Sequence, residues 1–131
     1  MTKPLLEKSI QSMLTAKLLL QNNHYPSTVN RAYYSCLQFI LHILIEKLGH
    51  THEYIDSMPG SGTHGKAQYL LSLTLIKKDK DDYKWFQAKF PAFKKGRVIA
   101  DYHSAPLDQG IGHDAINTAN LIIDTLKKYY K

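Results

Sequence analysis

Cysteine is nearly absent. Cys36 stands alone, so no disulfide can form within the chain and a Cys-rich zinc module is excluded. Arginine is scarce as well: Arg31 and Arg97 are the only two among seventeen basic residues, which favours diffuse electrostatics over bidentate phosphate clamps. No stretch approaches the roughly 18 uninterrupted apolar residues of a membrane span. The amino-terminal residues carry Lys3 and Lys8 but no apolar run suited to a signal peptide. No alternating strand pattern, repeat or linker is visible. These absences lead to the expectation of a cytoplasmic, soluble protein with no membrane partner. What is present suits one domain over residues 1–131, with 44% apolar and 21% charged residues. A chain of this size buries roughly two thirds of its unfolded surface and needs no covalent staple.

The formal charge is +6, and it is unevenly placed. Lys77, Lys78, Lys80, Lys84, Lys89, Lys94, Lys95 and Arg97 meet only Asp79, Asp81 and Asp82, so residues 77–97 carry +5. Trp85, Phe86, Phe90 and Phe93 are interleaved with them. Lysines neutralise phosphates and release counterions, so Lys84, Lys89, Lys94 and Lys95 are candidate RNA contacts. A solvated helix face with its aromatics in the core explains the same residues.

Apolar spacing points to helices throughout. Leu6, Ile10, Met13, Leu14, Leu18 and Leu20 mark a first helix over 5–21. Ser27 suits an N-cap for a second, Thr28 to Leu48, ending at Gly49. Residues 49–65 read as a long loop. Lys66 to Lys77 forms a third helix with Tyr69, Leu70, Leu73 and Ile76 inward. Asp81 or Asp82 caps a fourth, running toward His103 and bent or restarted at Pro91. A fifth spans Asp108 to Tyr130, antiparallel to the second. The expected fold is all-α, an up-and-down bundle of four to five helices.

The loop string Gly60-Ser61-Gly62-Thr63-His64-Gly65-Lys66 matches most of a P-loop, but Ala67 stands where a magnesium-binding hydroxyl belongs and no strand precedes it. His50, His52 and His64 offer imidazoles to a metal, yet structural zinc wants four ligands and the one thiol lies on another helix. No metal or other cofactor is expected. An i,i+4 ion pair between Arg97 and Asp101 is the structural account of those two residues.

The Arg31-Ala32-Tyr33-Tyr34 string, the histidine opening the third helix, and the Arg97-Val98-Ile99-Ala100-Asp101-Tyr102 string together resemble the HEPN (higher eukaryotes and prokaryotes nucleotide-binding) superfamily. The likeness covers nearly the whole chain and is nearest to small stand-alone prokaryotic members. It implies a HEPN-like bundle, often a homodimer, sometimes paired with a nucleotidyltransferase antitoxin. Many such proteins are metal-independent ribonucleases marked by an Arg, four to six residues, then a His. Arg97 and His103 fit that rule, whereas Val98 stands where a polar residue is usual.

Two functions follow. In the first, an endoribonuclease, His103 takes the 2′-hydroxyl proton and Arg97 stabilises charge on the phosphorane. Asp101, Tyr102 and Arg31 support them. At 100° per residue His103 lies about 120° around the helix from Arg97, so the helix must end first or a partner subunit must complete the cleft. In the second, the chain is a non-catalytic module that binds a nucleotide or a partner protein, and Arg97 and Asp101 hold structure.

Overall fold

A computed structural model describes residues 3–104 and 106–131. Among these, 82% are helical and none is in a strand. The protein is an all-α helical bundle, and among the described residues no helix is long and apolar enough to cross a membrane.

Helix α1 (Pro4–Gln21) turns back through Asn22 and Asn23 into α2 (Tyr25–Leu41). The chain enters α2 earlier than the Ser27 cap suggests, because Pro26 sits in the first turn, where its missing N–H is no loss. A π-helical segment, His42–Lys47, carries the helix on. Gly49 closes it at φ 77°, the left-handed conformation that glycine adopts without strain. The following stretch is not a bare loop: Thr51 caps a short helix α3 (His52–Asp56), and Ile55 is buried. Helix α4 (Gly62–Lys78) starts four residues before the sequence pattern suggests. Asp79, rather than Asp81 or Asp82, then caps α5 (Lys80–Tyr102) by accepting from the Asp82 N–H. Pro91 neither ends nor restarts α5, which is helical on both sides of it. Asp108, the expected first residue of the last helix, instead caps α6 (Gln109–Lys127) by accepting from the Ile111 N–H, and the helix ends three residues before Tyr130.

Two inward faces differ from the hydropathy pattern. On α4 the buried residues are Ala67, Leu70, Leu71, Ser72 and Leu75, while Tyr69, Leu73 and Ile76 are exposed. On α1 the buried residues are Ser9, Ser12, Met13 and Ala16, and Ile10, Leu14 and Leu18 face solvent. Small side chains let α1 approach α2 closely, and their hydroxyls find partners there. Ser9 Oγ donates to Ser35 O (2.7 Å), Ser35 Oγ returns a bond to Ser9 O (2.9 Å), and Ser12 pairs with the Gln38 amide at 2.6 Å.

Helices α2 and α6 pack along their length, but in parallel rather than antiparallel. Gly112 lies against Tyr25 and Thr28, Cys36 Sγ against Ala119 O (3.4 Å), and Lys127 Nζ over the Phe39 ring (5.9 Å). The reason is the α2–α4 connection, which climbs back along the bundle before α4 starts, so that one reversal is lost. Phe86, Phe90 and Phe93, together with Tyr33, fill the core beneath this packing.

Candidate functional site

Three helix segments converge where α2 begins, α4 begins and α5 ends. From α5, a stripe of Phe86, Phe90, Phe93, Arg97 and Ala100 points inward at helical spacing, so Arg97 continues an otherwise apolar face. Its side chain is only 12% exposed. Its guanidinium carbon stands 5.3 Å from the Tyr33 ring centroid and 5.6 Å from that of Tyr34. Its Nη1 donates to Asp101 Oδ2 at 3.0 Å, the i,i+4 pair the spacing suggests. Its buried Nε has no hydrogen-bond partner among the described residues.

Asp101 is shared. Asn30 Nδ2 donates to both carboxylate oxygens (3.2 and 3.1 Å), and Arg31 Nε and Nη2 donate to Asn30 Oδ1 (3.0 and 2.8 Å). Arg31 also stacks on Tyr34, 5.1 Å from its centroid. A continuous run Arg31–Asn30–Asp101–Arg97 therefore ties the start of α2 to the end of α5. On the other side of Arg97, Tyr33 Oη and His64 Nδ1 are hydrogen-bonded at 2.8 Å, which ties α2 to the first turn of α4. Burial, then Lys94 and Arg97 nearby, hold His64 below the usual histidine range, so its imidazole is neutral at neutral pH. Burial pushes the Tyr33 phenol up, against the pull of Arg97.

His103 is elsewhere. It follows the last residue of α5, takes extended backbone angles (φ −96°, ψ 147°) and is exposed, with its N–H bonded to Ile99 O. The helix does end before His103, but the described residues include no hydrogen bond or ion pair between it and Arg97. Tyr102, at 77% exposed, projects into solvent. The four lysines singled out in the charged segment spread around α5. Lys84 and Lys95 point away from the core, Lys89 edges a groove beside Ile111 and Asp114, and Lys94 lies on the His64 side. They do not form one stripe. The aromatics between them are also absorbed: Phe86 and Phe90 are wholly buried and Phe93 nearly so, with Trp85 packed against the same core.

Tyr33, His64 and Asn30 belong to the cluster, although the sequence reading offers Tyr33 only within a motif string, His64 otherwise only as a metal ligand, and Asn30 not at all. The signal was the adjacency of Asn30 to Arg31 and the coincidence of the tyrosine and histidine strings. His50, by contrast, stacks on Tyr54 (4.8 Å between centroids), away from His64. Among the described residues no group of three or more His, Cys, Asp or Glu is placed to hold a metal ion. Comparison with family models, with curated proteins and with solved structures returned no match.

Proposed function

We propose that the chain is a HEPN-like binding module, non-catalytic, recognising a nucleotide or a partner protein such as a nucleotidyltransferase. The observation that supports this reading is the state of Arg97. A guanidinium on a side chain only 12% exposed, paired with Asp101 and covered by two tyrosine rings, has little freedom to meet a scissile phosphate. The same contacts give it a structural task, joining α2 and α5. The test is incubation of the purified protein with RNA in the presence of a chelator. Intact RNA, together with a large drop in thermal stability for Arg97→Ala, is the expected result. Cleavage that leaves 2′,3′-cyclic phosphate ends and is lost in His103→Ala would overturn it.

One observation favours the endoribonuclease reading as a second. His103 and Tyr102 are exposed together at the end of α5, where a homodimer would bring the partner's copy alongside. In that reading Arg97 and His103 act across a composite cleft. His103→Ala then removes general acid–base catalysis, about 10²–10⁴-fold. Substituting Lys84, Lys89, Lys94 or Lys95 weakens RNA binding and flattens its salt dependence while turnover at saturation is kept.

A further inference from the structure

Toward the other end of α2 from Arg97, roughly 10–20 Å along the helix axis, lies a cavity of about 210 Å³ lined by four lysines. Lys3 comes from the residue capping α1, Lys47 from the π-helical segment, and Lys127 and Lys131 from the end of α6 and beyond. Its floor is Phe39, His42 and Tyr130, all buried. Among the described residues no Asp or Glu side chain lines it. Two acids are close by: Asp124 lines the adjoining groove with Leu6, Phe39 and Lys127, and Glu46 accepts from the Leu5 and Leu6 N–H groups (2.8 and 3.3 Å) and pairs with His42 Nδ1 (2.7 Å). Burial pushes Glu46 up, but those hydrogen bonds outweigh it and hold its carboxyl below the usual range. None of the four lysines has an ion-pair partner among the described residues.

Local rules do not account for this arrangement. Lysines at the end of α6 complement its dipole, but Lys3 stands at the positive end of α1, where a cation is unfavourable, and offers no capping hydrogen bond. Lys47 is presented by a π turn, in which Leu48 N–H reaches Ile43 O at 2.9 Å, a geometry that recurs at functional sites. Four like charges around one concavity repel each other, and a bound anion relieves that repulsion.

We propose that this cavity binds a small phosphorylated anion, a diphosphate group either free or as the tail of a nucleotide. Drug-sized ligands occupy about 300–1,000 Å³, so the cavity suits a compact, multiply charged head. Ammonium groups serve a phosphate as point charges, whereas a single carboxylate would leave most of four charges unanswered. The residues are separate from the Arg97 cluster, so this site and the reading of Arg97 stand or fall independently.

The experiment is calorimetric titration of the full chain at low salt with sodium pyrophosphate and, separately, with ADP. Saturable one-to-one binding is expected, weakened about tenfold or more in Lys47→Ala/Lys127→Ala. Lys8→Ala, on the opposite face of α1, should leave it unchanged. Equal affinity for the two probes identifies the diphosphate itself as the ligand; tighter ADP identifies a nucleotide. No saturable binding to either probe, or equal weakening by Lys8→Ala, would overturn the proposal in favour of diffuse attraction to a basic protein.

Discussion

Arg97 takes a full charge to a place where little water reaches, and two tyrosine faces and one carboxylate make that tolerable. Removing it leaves Asp101 half-partnered and uncovers Tyr33. Arg97→Ala should therefore cost about 2–4 kcal/mol in a urea unfolding measurement. Arg97→Lys should recover only part of this, because an ammonium neither stacks on the rings nor presents a fork. His64 provides a separate test through pH. Its folded pKa lies below the unfolded value of 6.5, so the unfolded chain binds the proton more readily. The stability contributed by neutral His64 is thus fully present above that unfolded value and is lost as pH falls through the folded one. The groups facing it are Tyr33 and Tyr34 on α2 and Lys94 and Arg97 on α5, none of which compensates an imidazolium. In His64→Gln the slope of stability against pH between about 5 and 7 should flatten.

The helices themselves show where hydropathy is a sufficient guide and where it is not. Helix α6 reads correctly at Ala115, Ala119, Ile122 and Leu126, which are apolar and buried, but Ile111, which follows the same period, is exposed, and the helix ends at Lys127 short of Tyr129 and Tyr130. Helix α1 does not read this way. Its inner face consists of Ser9, Ser12 and Ala16 with Met13, chosen for close approach and for hydroxyl pairing across to α2, and such residues have no hydropathic signature. The large aliphatics are left outside as a consequence. The Arg97 cluster was legible only as separate strings, since the run from Arg31 to Asp101 spans residues 71 apart in sequence between Asn30 and Asp101. No spacing rule brings such positions together; the α2–α5 packing does. Helix α5 carries two residues that weaken it. Gly96 is helical with open space where a Cβ would stand, so Gly96→Ala should gain about 0.5–1 kcal/mol. Pro91, exposed in mid-helix, removes a backbone donor, and Pro91→Ala should likewise raise the urea midpoint.

At the scale of the molecule, the parallel course of α2 and α6 depends on the segment that returns between α2 and α4. That segment is held by a backbone contact. A Cβ on Gly60 would meet the Gly65 carbonyl carbon at 2.9 Å, and its φ of 133° is one that side chains avoid. Gly60→Ala should destabilise the protein by about 2 kcal/mol or more, and more than any other glycine-to-alanine change in this segment. The interface those helices form also encloses the single thiol. Cys36 has no accessible surface, and burial pushes its thiol up, so the nucleophilic thiolate is suppressed in the native state. A thiol reagent can reach it only when α2 and α6 separate. The protein thus contains its own clock for opening: the labelling rate of Cys36, followed against denaturant, reports how often the bundle comes apart, with no probe introduced into the chain.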